Sequence, residues 1–177
     1  MNGARDATTG LSKPLGPSDT GLTFEELFAN EHRALFRALY LITGNTQEAE
    51  ELMQDAFLKV WERWDRVSEM ENPGGYLCRV AINGARSRIR RLSMSAKRVL
   101  SPGQPEDPFA AADLRDELVR ALATLTERQR LALVLNDLMD VPDDEAAKVL
   151  GVQPSTIRSL ASQARAALKI TLEVQDG

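Results

Sequence analysis

Cysteine and histidine each occur once in the 177 residues, as Cys78 and His32. A single thiol excludes an internal disulfide, and a single imidazole leaves a zinc finger, a redox enzyme or a Ser-His-Asp hydrolase without its parts. Cys78 falls within the apolar spacing of its segment and reads as a packing residue rather than a reactive thiol. His32 lies between Glu31 and Arg33 and reads as solvated. There is no Gly-rich phosphate loop, nucleophile-base pair or metal-ligand cluster, so no catalytic residue, metal or cofactor is expected and an enzyme is disfavoured. No window approaches the roughly 20 apolar residues of a membrane span, and the N-terminus lacks the basic start and apolar run of a signal peptide. Membrane insertion is not expected, and the cytoplasm is the expected location. Aromatic residues make up only 5% of the chain, so the core must come from Leu, Val and Ala on helices.

What the chain does have is a basic helix. Residues 72–98 read NPGGYLCRVAINGARSRIRRLSMSAKR: a Pro-Gly-Gly start, apolar residues at helical spacing (Tyr76, Leu77, Val80, Ala81), then a cluster of arginines. Each cation that meets a phosphate releases condensed counterions, so Arg86, Arg88, Arg90 and Arg91 in sequence suit a polyanion. Taken alone, such a run is equally readable as a solvated face. The formal charge of −4 does not decide between them, because local distribution sets the field at a contact surface. Acidic residues gather at Glu48, Glu50 and Glu51, at Glu106 and Asp107, and at Asp143, Asp144 and Glu145, which the sequence places apart from the arginines.

Residues 1–21 are rich in Gly, Ser, Thr and Pro without apolar periodicity, and are expected to be a disordered leader. A first helix follows, capped by Thr23 with Glu25 and Glu26 in its first turn, burying Leu27, Phe28, Ala34, Leu35, Leu39 and Ile42 and ending at Gly44 and Asn45. Thr46 is expected to cap a second helix whose stripe of Ala49, Leu52, Met53, Ala56, Phe57, Val60, Trp61 and Trp64 spans about five turns. Most of that stripe is core, but two tryptophans exceed the needs of a small core and point to a partner surface. Residues 65–75 are expected to be a loop that uses two glycines for turns closed to other residues.

Three prolines in residues 101–113 mark a linker, so the chain divides into a first helical unit over 22–100 and a second over 114–170, with a tail at 171–177. The second unit carries Leu114, Leu118, Leu122 and Leu125, then a helix capped by Thr126 that buries Leu131, Leu135 and Leu138. A short helix from about Pro142 to Leu150 stops at Gly151, and another begins near Pro154, with Ala147, Leu150, Val152, Ile157 and Leu160 as the buried set. Helix, glycine turn, helix is the pattern of a helix-turn-helix, although plain bundles share it. The expected fold is all-α: two small helical domains joined by a flexible linker, the second containing the helix-turn-helix.

The order and spacing of these segments resemble the extracytoplasmic-function class of bacterial sigma factors, two-domain members of the sigma-70 superfamily, from residue 24 to residue 169. EAEELMQDAFLKVWERW (48–64) looks like the family's helix that docks on the polymerase clamp. PGGYLCRVAINGARSRIRR (73–91) looks like its promoter-melting segment, and residues 125–168 look like the domain that meets the −35 element and the polymerase flap. The resemblance implies clamp contacts at Leu52, Gln54, Asp55, Phe57 and Trp61. It implies −10 contacts at Arg79, Asn83, Arg86 and Arg90, to which the basic run adds Arg88 and Arg91, with the loop 67–75 cradling a flipped base. It implies −35 contacts at Ser155, Thr156, Arg158, Ser159 and Ser162, with Arg165 as the helix's other cation.

The partners so implied are core RNA polymerase, promoter DNA and an anti-sigma factor wedged between the domains, with promoter-specific initiation as the function. Leu160, Ala161, Ser162 and Gln163 stand where the family carries further basic residues, and Gln153 and Ala146 replace a capping Ser and a larger aliphatic. These departures motivate an alternative, a sigma-like regulator that binds polymerase but reads the −35 element weakly or not at all. Ser87 replaces a frequently acidic position and makes the central helix more basic.

Overall fold

A computed structural model describes residues 21–93 and 112–175, with side chains over 21–91 and 117–171. The expected leader up to residue 20 and the linker up to residue 111 lie outside the described residues, as do the side chains of Leu114 and of residues beyond 171. All regular structure among the described residues is helical.

Helix α1 (Phe24–Thr43) starts in a capping box. The Thr23 hydroxyl accepts from the Glu26 amide at 3.2 Å, and the Glu26 carboxylate accepts from the Thr23 amide at 2.8 Å. It stops at Gly44, whose φ of 68° suits glycine. Helix α2 (Thr46–Trp61) is capped one residue earlier than expected, by Asn45, whose Oδ1 accepts from the Glu48 amide at 3.0 Å. Asn45 has the extended backbone a cap requires, which leaves Thr46 as the first helical residue.

The apolar stripe that ran on to Trp64 is broken after Trp61, and Trp64–Val67 forms a separate single turn, α3. The rest of the expected loop is shorter too, because α4 (Pro73–Ser93) already includes Gly74 and Gly75. Neither glycine has a positive φ. Gly75 instead makes room for a cap: its amide donates to Asn72 Oδ1 at 2.8 Å, and a Cβ there would lie 2.6 Å from Asn72 Nδ2.

In the second half come α5 (Ala112–Ala123), which already takes in the last two residues assigned to the linker, and α6 (Glu127–Leu133). Thr126 and Gln129 cap α6 reciprocally. It runs into a wider π-helical turn, Val134–Leu138, closed by the Met139 amide donating to Val134 O at 3.1 Å. Helix α7 (Asp143–Leu150) ends at Gly151, φ 67°. Helix α8 (Pro154–Gln175) places proline at its first position and extends into the segment set apart as a tail.

Helices α1, α2 and α4 bundle around Leu35, Leu39, Ile42, Val60, Leu77 and Ile82, while α6, α7 and α8 close over Leu131, Leu135, Ile157 and Ala161. The two bundles are not separate cores. Buried residues of both form one continuous apolar cluster, with α1 against the π-helical turn and α4 against α7. That second contact explains why α7 buries Ala146 and Val149 beyond the expected Ala147 and Leu150: it is covered by α8 on one face and by the first bundle on another. Phe28 and Leu138, expected inside, are 42% and 41% exposed. The stripe pattern assigns them to a helix face but cannot say where the neighbouring helix stops covering it.

Candidate nucleic-acid interface

Helix α4 buries Leu77, Cys78, Ala81, Ile82 and Ala85. Arg79, Asn83, Arg86 and Arg90 recur at steps of four, three and four residues on the opposite side, so they share one face. Arg79, Asn83, Arg90 and Arg91 are exposed, with the Arg79 guanidinium 5.3 Å from the Tyr76 ring centroid. Burial pushes the Cys78 thiol up to about 11, which suits a packing residue and not a nucleophile. His32 is less solvated than expected, stacking on Phe28 with ring centroids 5.0 Å apart while Nδ1 donates to Phe28 O at 2.8 Å.

Arg88 and Arg86 each reach another element of the protein. Arg88 Nη2 lies 2.7 Å from Glu51 Oε2, and the hydrogen bond and charge of Arg88 hold the Glu51 carboxyl below its ordinary range. The acidic cluster of α2 is therefore not apart from the arginines, because packing α2 on α4 brings Glu51 to them. Arg86 reaches further. Its Nη1 donates to Val149 O and its Nη2 to Leu150 O at 3.2 Å, both at the end of α7.

Between α2 and α4 runs a groove of about 720 Å³ that unites two sets of residues separated in the sequence. Leu52 and Asp55 line it from α2 with Lys59, and Asn83, Arg88 and Arg91 line it from α4 with Ser87. Three cations and an amide on its walls suit a phosphodiester strand, and its apolar floor suits bases or a partner side chain.

The expected clamp contacts divide by exposure. Gln54 and Asp55 face outward, Trp61 is half-buried against Phe24 at 4.9 Å, and Leu52 and Phe57 are each only 5% exposed. Leu58, 59% exposed, lies four residues after Gln54 and three before Trp61, on the same face. It was missed because it falls one position off the apolar stripe. An apolar residue outside the stripe of a helix whose core positions are already filled is the sequence signal that could have found it.

On α8 the expected contacts Ser155, Arg158, Ser159, Ser162 and Arg165 are exposed and Thr156 half-buried. Both cations meet carboxylates. Arg165 grips Asp137 with two hydrogen bonds of 2.7 and 3.0 Å, which push its pKa up, and Arg158 lies 3.6 Å from Asp143. Gln163 ties the helix to α6, accepting from Gln129 at 3.3 Å and donating to Ser159 at 3.2 Å.

Arg130 was not singled out by the sequence. From α6 its Nη1 donates to Ile42 O at 3.0 Å, in the last turn of α1. Burial lowers the pKa of Arg130, as it does that of Arg86, where neighbouring Arg90 adds to the effect. A second cavity, about 160 Å³, lies where loop residues Met70 and Asn72, with Tyr76 and Arg79, face Leu135, Val141, Glu145 and Val149 of the second half. Among the described residues there is no cluster of three or more potential metal ligands and no helix long and apolar enough to cross a membrane.

Comparison with known proteins gives these surfaces a context. The chain matches the family description "Sigma-70 region 2" over residues 27–94 and "Sigma-70, region 4" over residues 115–168. It is 29% identical over 157 residues to an RNA polymerase sigma-E factor of Streptomyces avermitilis, covering 88% of each chain. It is 29% identical to the extracytoplasmic-function sigma factor SigM of Mycobacterium tuberculosis over 82% of this chain and 74% of that one. Among solved structures it is similar to the sigma factor RpoE in complex with the anti-sigma factor NepR from Bartonella quintana. The TM-score is 0.72 at 25% identity, over 85% of this chain and 97% of that one.

Proposed function

The chain belongs to the extracytoplasmic-function class of the sigma-70 family, and from that premise we propose how its surfaces divide the work of transcription initiation. As an RNA polymerase sigma factor it binds core polymerase and directs promoter-specific initiation. The outward face of α2, with Gln54, Asp55, Leu58 and Trp61, meets the polymerase clamp. The adjoining face of α4, with Arg79, Asn83, Arg90 and Arg91, holds the non-template strand of the −10 element. The groove between the helices is the observation that supports this reading: Asp55 lines it from α2, and Asn83 and Arg91 line it from α4.

Opening the duplex then needs no bond-making. Unstacking costs a few kcal/mol, least at flexible pyrimidine-purine steps, and capture of the unpaired strand offsets it. The work takes place beside the chromosome, in the cytoplasm.

The second half meets the −35 element and the flap through α8. Two cations already bound to Asp137 and Asp143 favour a weak −35 contact that depends on polymerase to hold it in place. An anti-sigma factor is a fitting further partner, as the Bartonella relative is found with one.

The test is run-off transcription with purified core polymerase. Asn83→Ala combined with Arg91→Ala should keep core binding and lose transcripts, whereas Leu58→Ala should lose core binding. Transcripts undiminished in the Asn83 and Arg91 double variant would end the assignment of the −10 strand to this face.

A further inference from the structure

Two arginines cross between the halves of the molecule, one in each direction. Arg86 of α4 donates to Val149 O and Leu150 O, the final carbonyls of α7. Arg130 of α6 donates to Ile42 O in the last turn of α1. The last four carbonyls of a helix have no intrahelical partner and carry the negative end of its dipole. Each half thus supplies a cation that satisfies a helix end of the other. Beside them, Met70 and Asn72 of the loop that precedes α4 and Tyr76 of α4 line one cavity with Leu135, Val141 and Val149 of the second half.

We propose that this docked arrangement is an off state of the free protein, in which α7 occupies Arg86 and the second half flanks the 68–72 loop between α3 and α4, with Arg130 as the latch that holds it. It rests on the assignment of α4 to the −10 strand. A guanidinium that gives both Nη groups to α7 carbonyls has fewer donors left for a phosphate, and a strand approaching the loop shares its space with Leu135 and Val141. DNA capture and docking therefore compete for the same surface. The affinity of the free chain for single-stranded DNA is reduced by the fraction of molecules that remain docked. Arg130 lies outside that surface, so its loss weakens docking while leaving every strand-facing residue in place.

The sign of the effect makes the test sharp. Deleting a cation ordinarily weakens binding to a polyanion, so a gain on removing Arg130 has no simple electrostatic origin. The probe is a fluorescent single-stranded 20-mer of randomised sequence at low salt, titrated with the full-length chain. A core-polymerase pull-down and small-angle X-ray scattering run alongside. Arg130→Ala should bind the 20-mer about tenfold tighter, the weight of one lost charge-assisted hydrogen bond in a docking equilibrium, and should scatter as a more extended particle. Arg130→Gln keeps much of the stem without the charge, and should shift both readouts in the same direction if the alanine variant folds poorly.

Equal or weaker DNA binding by both variants, with wild-type core binding intact, overturns the latch and leaves the functional assignment standing. A wild-type chain that binds neither core polymerase nor DNA, with variants that behave alike, overturns both.

Discussion

On the proposed assignment of α8 to duplex DNA, Asp137 weakens this protein's own grip, and replacing it with alanine should strengthen that grip. Its carboxylate engages the Arg165 guanidinium through Nε at 2.7 Å and Nη2 at 3.0 Å, so one edge of an α8 cation is already taken. Both partners are substantially exposed, at 54% and 40%, so the pair contributes about 0–1 kcal/mol to stability and its loss leaves the fold intact. Freed, Arg165 can neutralise one phosphate. One added contact steepens the dependence of log K on log salt by about 0.9, so raising salt from about 50 to 200 mM should cost the variant roughly 3.5-fold more affinity than the wild type.

Fluorescence anisotropy with a mixed-sequence duplex over a salt series measures this directly. Removing any carboxylate reduces general repulsion, so the deciding control is Asp137→Ala in an Arg165→Ala background, where the slope should not change. An Asp137→Ala slope equal to wild type, or the same steepening without Arg165, would refute the idea that the ion pair withholds a phosphate contact.

Other expectations follow from burial and exposure. Ile157→Ala, at a fully buried site between α8 and its neighbours, should destabilise by about 2–5 kcal/mol, visible as an earlier midpoint in urea unfolding. Leu58→Ala removes a side chain that is 59% exposed, so the melting temperature should barely move while core-polymerase affinity falls by tenfold or more in a pull-down titration. Burial raises the Cys78 thiol above its unfolded value, so the folded protein keeps a proton that the unfolded chain gives up. Stability should therefore be level below about pH 9 and fall as pH climbs towards about 11, by roughly 2–3 kcal/mol in a pH series of unfolding curves. The same thiol should resist iodoacetamide at pH 8 until denaturant is added.

The helical fold was legible because its signals are local. Thr23 with Glu26 and Thr126 ahead of α6 mark helix starts, Gly44 and Gly151 mark helix ends, and leucines at three- and four-residue steps mark the buried faces. Misreadings arose where two local signals competed, as at Asn45 beside Thr46, where either residue could cap and the backbone chose the first. Gly75 looked like a turn residue because glycine permits turns, whereas here its missing Cβ accommodates Asn72. The candidate surface was legible in its residue types but not in their engagements. Glu51 meets Arg88, Arg86 meets α7 and Arg130 meets α1 only once helices distant in sequence are packed, and no spacing rule reports contacts over 37, 63 and 88 residues. Arg130 in particular sits in an ordinary helical stretch, and only its burial distinguishes it.

The most direct measurement is in vitro transcription from fragmented genomic DNA by core polymerase with and without the protein, followed by mapping of transcript 5′ ends. Wild-type protein should create a set of discrete start sites absent with core alone, and the Asn83→Ala, Arg91→Ala variant should abolish that set while still co-eluting with core polymerase on gel filtration. Start sites that persist at full strength in that variant would contradict the capture of unpaired promoter strand by this face of α4.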